Sequence, residues 1–228
     1  GGSKKMLSNL MGLAKSGAID LDGLHGVFSG IVGIGGAKEF RVIFEPDFHR
    51  SPESHALALA VLNTVSTSRI VKPEGDLTVV LRSALRSDRV ELNKQALGLI
   101  GQWQVTGLHS LVAALVDDDK SAPAVRLAAV QALGMLGGDD ANRLAELIVN
   151  ESVELKLAAL ESLSRLSMSA AADHGAGLLA RGEALTGILA PFLNREGGGK
   201  ALIAALTKRK IEAAPAAKAL SKLQSLGS

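Results

Sequence analysis

The 228-residue sequence has no cysteine, no tyrosine, one tryptophan and five phenylalanines. Without cysteine there is no disulfide framework, no thiolate metal site, no covalent haem attachment and no thiol nucleophile, and the compartment is left open. Aromatics at 3% count against a ring-lined cofactor pocket and against nucleic-acid modules that stack bases on exposed rings. Charge of one sign is also missing, since 25 basic residues face 23 acidic ones for a formal net charge of +2. No polyanion is demanded as a partner. No apolar run reaches the length of about 18 residues that marks a membrane span. The opening Gly1-Gly2-Ser3 reads as a linker-like remnant rather than a signal peptide, which predicts a soluble segment excised from a longer protein.

What is present is alanine and leucine, within a hydrophobic content of 47%. Small and unbranched side chains favour helices packed on helices, whereas sheets draw on β-branched and aromatic residues. The expected fold class is all-α.

Internal repeats set the architecture. Three segments align, from Asp76 to Gly107, from Leu108 to Asp140 and from Ala141 to about Gly175. In each, a first helix carries Leu or Val at helical spacing, as in Leu77, Val80, Leu81 and Leu85, or Leu108, Leu111, Val112 and Leu115. A polar turn follows, Ser87-Asp88, Asp117-Asp118-Asp119 or Asn150-Glu151-Ser152, whose side-chain oxygens are expected to cap the next helix. In the second helices Ala96, Ala129 and Ala159 align, followed by Leu97, Val130 and Leu160, then by Ile100, Leu133 and Leu163. Alanine there admits close helix approach, and the larger neighbours fill the gaps. A single hairpin of this kind cannot bury its face alone, so the units stack.

Pro52 to Ser66 reads as another second helix, with Ala58, Leu59 and Leu62 in the matching places. Residues 4–50 hold helical stripes at Met6 to Lys15 and Leu21 to Ile34, then the β-leaning Lys38 to Phe44. They are expected to form an irregular N-terminal capping segment, followed by repeats over 51–175 and by a last repeat with capping helices over 176–226. In that last part Leu178 to Leu193 has a helical pattern that Pro191 should end or kink, and Gly197-Gly198-Gly199 separates it from helices at Lys200 to Lys208 and about Ala213 to Leu226.

The short period, the paired helices, the acidic turn and the Val125-Arg126-Leu127-Ala128-Ala129 stretch resemble HEAT repeats. More specifically, residues 73 to about 223 resemble the HEAT-like, armadillo-type middle region of large Planctomycetes-type membrane-bound dehydrogenase and haem-binding proteins. That resemblance rests on Pro73 with Gly75-Asp76, Gly101-Gln102-Trp103, Leu136-Gly137-Gly138, Ala170 to Ala172 before Leu178-Leu179-Ala180, and Phe192-Leu193-Asn194-Arg195 before the glycines and Ala201-Leu202. It implies an α-α superhelix lying between a dehydrogenase-like propeller and a c-type cytochrome domain, in a periplasmic or cell-envelope protein. Haem binding does not carry over, because this chain lacks the cysteines that attach the haem.

Asn93, Arg126 and Lys156 share one repeat position, and Asp88, Asp119 and Glu151 lie in the matching turns. In HEAT arrays such a set forms a polar ladder, and that structural reading is preferred here to a charged binding ridge. Trp103, Lys200, Lys208, Arg209 and Lys210 are candidate partner contacts. Trp103 is the sole indole, and its place between repeats favours partial burial against the neighbouring hairpin over a hot-spot contact; Lys200 follows a glycine run resembling an anion nest, although glycines at a helix break are usually punctuation. Gly30 to Gly36 lacks the spacing of a nucleotide loop and is read as a helix end with a flexible loop. His25, His49, His55, His109 and His174 form no metal-binding spacing, and His49 or His55 beside Glu45, Asp47 or Glu53 is better read as an exposed turn at a helix start.

The sequence therefore predicts a non-enzymatic scaffold or protein-interaction domain, without cofactor or metal, whose partner is another protein or the neighbouring domains of one polypeptide. The alternative is a nucleic-acid-binding HEAT domain related to DNA-alkylation-repair glycosylases. Weak net charge and the lack of aromatics count against it.

Overall fold

A computed structural model describes residues 2–45, 48, 51–68, 71–183 and 185–209. Among them all regular structure is helical: α1 Gly2–Ser16, α2 Leu21–Ile34, α3 Ala37–Val42, α4 Pro52–Ser68, α5 Thr78–Leu85, α6 Val90–Gln102, α7 His109–Asp117, α8 Pro123–Leu136, α9 Ala141–Asn150, α10 Val153–Leu166, α11 Met168–Ala180, α12 Leu185–Leu193 and α13 Gly198–Lys208. The all-α expectation holds. The chain divides into two compact units, 1–132 and 133–228, with the boundary inside α8. The second C-terminal helix expected at Ala213 to Leu226 lies outside the described residues.

In the first unit α1 packs on α2, α2 on α4, and α4 on α6, which pairs with α5. Helix starts are set by side chains that satisfy the free backbone amides of a first turn. Asp20 Oδ1 accepts from Gly23 N at 2.8 Å ahead of α2. Ser54 N donates to Ser51 Oγ at 3.2 Å and Ser51 N to Ser54 Oγ at 3.1 Å around the start of α4, where Pro52 needs no donor.

One expectation for this region is corrected. The β-leaning Lys38 to Phe44 forms the helix α3 up to Val42 and a turn after it, because Phe40, Ile43 and Phe44 bury together at i, i+3 and i+4 and Glu39 accepts from Gly36 N at 2.8 Å. The Gly30 to Gly36 stretch is a helix end and a short connection as expected, with Gly30 and Gly33 in the last turns of α2 and Gly35 and Gly36 between α2 and α3. A Cβ on Gly30 would stand 3.0 Å from Leu10, so this glycine admits α1.

The repeat register is visible as burial. Ala58, Leu59 and Leu62 of α4, Ala96, Leu97 and Ile100 of α6, Ala129, Val130 and Leu133 of α8, and Ala159, Leu160 and Leu163 of α10 are all 0% exposed. Leu108 just before α7 and Val112 within it are buried as expected, with Val116 one turn on, while the expected Leu111 and Leu115 are only half-buried. Capping by the polar turns is uneven. Ser152 Oγ accepts from Leu155 N before α10 at 3.4 Å, whereas Arg89 stands at the start of α6 with no side-chain cap.

Helix α6 ends in a tight reversal in which Gln104 N bonds Gly101 O at 3.2 Å and Val105 N bonds Ile100 O at 3.0 Å. That geometry requires a left-handed residue, and Gln104 supplies it at φ 49°. The end of α11 has the same pair of bonds, Gly182 N to Leu179 O at 3.0 Å and Glu183 N to Leu178 O at 3.2 Å, with Gly182 at φ 76°.

In the second unit α9 pairs with α10, α10 meets α11 and α12, and α11 packs on α13. The expected helix from Leu178 to Leu193 is instead two helices, α11 and α12, because the left-handed Gly182 reverses the chain between them. Pro191 lies inside α12, two residues before its end, where only the final turn loses a donor. Of the three glycines ahead of Lys200, Gly197 takes φ 74°, and a Cβ on Gly198 would fall 2.4 Å from Phe192 O. Helix α13 consequently starts at Gly198, two residues earlier than expected.

Gly134 of α8 faces Ser162 of α10 so closely that a Cβ would stand 2.5 Å from Ser162 Cβ and 2.7 Å from its Cα. Gly134→Ala is expected to destabilise the chain by about 1–3 kcal/mol through overpacking. Gly12→Ala, with nothing within 4 Å of the added methyl, should stabilise it by about 0.5–1 kcal/mol. Urea unfolding of both variants checks the contrast. Gln104→Gly should raise stability by up to about 1 kcal/mol, since it removes a left-handed penalty of about 1–2 kcal/mol at the cost of added chain entropy. A lowered denaturation midpoint for that variant contradicts the account.

Candidate interaction surface

The repeat-position donors make different bonds. Asn93 Nδ2 donates to Ser87 O at 3.0 Å and Arg126 Nε to Val116 O at 3.0 Å, so each closes the turn of its own hairpin. Lys156 Nζ instead reaches forward to Glu183 Oε2 at 3.0 Å, between α10 and the α11–α12 turn. In the turn before α8, Asp118 accepts from Lys120 N at 3.1 Å and Ser121 Oγ at 2.8 Å. Those two bonds, Ser121 foremost, hold its carboxyl below the usual range. Its neighbours in the predicted ladder, Asp88 and Asp119, stand exposed, and Glu151 is half-buried.

Lys156 and Glu183 also line a small cavity of about 260 Å³ with Val153, Leu157, Leu178 and Ile188. Their side chains are 15% and 29% exposed. The Lys156 hydrogen bond, followed by that of Arg181 Nε at 3.0 Å, holds Glu183 ionised by lowering its pKa. A charge pair that closes on itself in an apolar lining ties helices together.

Trp103 faces inward. Only 6% exposed, it donates from Nε1 to Ser66 Oγ at 3.1 Å and meets Phe44 edge to face at 6.1 Å between centroids. It joins the turn after α3, through Phe44, and α4, through Ser66, to the end of α6. Lys200 and Lys208 are exposed at opposite ends of α13, about 12 Å apart along its axis. The guanidinium of Arg209 lies against Gly177, where a Cβ would be 3.1 Å from Nη1. Lys210 lies outside the described residues, as do Asp47 and His49. His55 is half-buried, and burial lowers its pKa; His174 is shifted the same way by burial and then by Arg209. Among the described residues no cluster of His, Cys, Asp and Glu is arranged to hold a metal ion, and no helix is long and apolar enough to cross a membrane.

One opening was not foreseen. A groove of about 670 Å³ in the first unit is lined by the starts of α2 and α6 and the N-terminal half of α4: Leu21, Asp22 and His25 of α2, Pro52, Glu53, Ala56, Leu57 and Ala60 of α4, and Arg89 with Val90, Glu91 and Leu92 at the start of α6. Helix α4 makes the floor, because it packs on both α2 and α6. Leu21 and Val90 stand on the two sides, 45% and 40% exposed. The signal was in the sequence, since Leu21, Pro52 and Val90 lie seven residues before the fully buried Phe28, Leu59 and Leu97. Seven residues is about two helical turns, so each buried stripe continues past the region where a neighbour covers it.

Charge gathers at the same helix starts. Arg89 pairs with Glu53, and Glu91 accepts from Lys94 Nζ at 2.9 Å and from Gln95. Carboxylates in first turns offset the positive helix ends.

No match was found among curated proteins or among solved structures. Residues 78–164, from the start of α5 into α10, match the family model described as HEAT repeats, and the chain therefore contains a HEAT-repeat region within an all-α, helical-repeat architecture of the α-solenoid class.

Proposed function

We propose that the chain is a non-enzymatic HEAT-repeat scaffold that holds a protein partner, or the neighbouring domains of its own polypeptide, and that it is an interdomain piece of a larger exported redox protein. The observation that carries the scaffold reading is the division of polar and apolar groups on the first unit. Asn93 and Arg126 close turns within the chain, while the large opening, the groove between α2, α4 and α6, is mostly apolar. Apolar surface open to water favours contact with another macromolecule over chemistry on a small polar substrate. The matched HEAT repeats support the same reading, as repeats of this kind present extended binding surfaces.

The redox-protein origin is supported by the stretches around Trp103, Gly137 and Phe192 that resemble the Planctomycetes-type proteins, and with it comes an envelope location. The absence of cysteine assigns any haem chemistry to other parts of such a polypeptide. Lys200, Lys208, Arg209 and Lys210 remain proposed partner contacts, and the ladder of Asp88, Asn93, Asp119, Arg126, Glu151 and Lys156 remains proposed as structural support for the repeats.

Two measurements test this. Sequencing the gene through both flanks should reveal a propeller-coding region upstream and a CxxCH motif downstream, and an open reading frame lacking both overturns the redox-scaffold origin. Titration of the chain with duplex and single-stranded DNA at about 50 mM salt should give no binding. Binding that falls steeply as salt rises would replace the protein-scaffold reading with a nucleic-acid one.

A further inference from the structure

We infer that the groove between α2, α4 and α6 is a docking site for an amphipathic helix carrying basic residues beside its apolar face, an inference that rests on the scaffold reading and names its partner. Three features select this occupant. The first is shape. α4 lies between α2 and α6, and helices packed at about 8–10 Å leave a trough roughly one helix wide above the middle one. Its floor carries the small side chains Ala56 and Ala60 one turn apart, with Leu57 beside them. Leucine-sized side chains of a docked helix fit over those alanines and against Leu21 and Val90 on the sides.

The second is charge. The lining holds three carboxylates, Asp22, Glu53 and Glu91, against the guanidinium of Arg89 on Glu53 and the ammonium of Lys94 on Glu91, which leaves one negative charge in excess. Glu53 and Glu91 remain 46% and 58% exposed although they are paired, and their pairing fixes them at the rim. The chain as a whole is slightly basic, so the acidic rim is a local feature.

The third is the exclusion of anions. Three helix N-termini converge here and on their own would attract phosphate or carboxylate. Asp22, Glu53 and Glu91 occupy those first turns themselves. The field that would recruit an anion is offset, and what is left favours apolar contact bordered by lysine or arginine.

The test uses the full 228-residue chain and two fluorescent peptide probes with the same leucine spacing on one helical face, one flanked by lysine and the other by glutamate. The lysine peptide should bind at least about tenfold more tightly than the glutamate peptide, a difference that shrinks between about 50 and 300 mM salt. Ala56→Trp, which fills the floor, should abolish binding. Glu91→Lys, at an exposed rim position that preserves folding, should weaken the lysine peptide about tenfold and strengthen the glutamate peptide. Equal binding of both peptides, or binding that neither substitution changes, overturns the inference. So does concentration-dependent dimerisation that Ala56→Trp abolishes, because the occupant is then a second copy.

A photo-crosslinking residue at Val90, compared with one at the exposed Ile203 of α13, separates this site from the broader reading in cell extract. Adducts from Ile203 without adducts from Val90 overturn the groove and leave the scaffold; none from either position counts against both.

Discussion

How near neighbouring second helices come to one another decides the rest of the repeat region. Ala96, Ala129 and Ala159 are completely buried, and each offers only a methyl group to its surroundings. Where the approach is closer still, even a methyl is too large. Gly134 of α8 meets the backbone of Ser162, and a Cβ on Gly98 of α6 would fall 2.6 Å from Asn63 Oδ1 of α4. Asn63 has no freedom to yield, because its Nδ2 donates to both Gln95 O at 2.7 Å and Gln95 Oε1 at 2.8 Å. Interiors packed to crystal-like density leave no slack for an added methyl. The leucines and isoleucines following each alanine can fill the space between helices only because the backbones are held at that distance.

A different solution operates at the N-terminal end. Phe28, Phe40, Phe44 and Phe48 are all buried there, and with Phe192 they account for every phenylalanine in the chain. Short helices such as α3 cannot reach the even spacing of the hairpins, and broad rings span the larger gaps that result. Trp103 connects this aromatic cluster to the first repeat through Phe44 and Ser66. The low aromatic content of the whole sequence therefore describes the repeats well and conceals a local aromatic core.

The same contrast explains what could be read in advance. Positions Ala96, Leu97 and Ile100 and their equivalents were legible because a repeated pattern reports the same burial several times over. The break at Gly182 was not, because Leu178 to Leu193 keeps a helical rhythm through a glycine, and a left-handed φ is a property of the backbone that hydrophobic spacing does not encode. Gln104 is harder again, since glutamine carries no signal for that conformation. Lys38 to Phe44 misled through propensity, as its β-leaning residues were overruled by the chance to bury Phe40, Ile43 and Phe44 on one helical face. Among the candidate site residues, Trp103 carried an ambiguous signal, since a lone indole between repeats suits either a partner contact or burial against the neighbouring helices. The groove depended on noticing where the apolar stripes stop being covered.

That last point follows from the geometry of stacked hairpins. A helix whose stripe ends with its packed portion leaves nothing at its start but polar turns. In α2, α4 and α6 the stripe runs on to Leu21, Pro52 and Val90, while the covering neighbour ends sooner. Surplus apolar surface at one helix start is ordinary, because folded proteins expose many single hydrophobic residues. Three starts that meet in one trough are another matter, since water must then solvate a contiguous apolar floor between acidic rims. The carboxylates at those starts keep the surface hydrated and discourage nonspecific association in the free chain. They also fix which partner can displace the water, because a docked helix must bring both apolar side chains for the floor and positive charge for the rim.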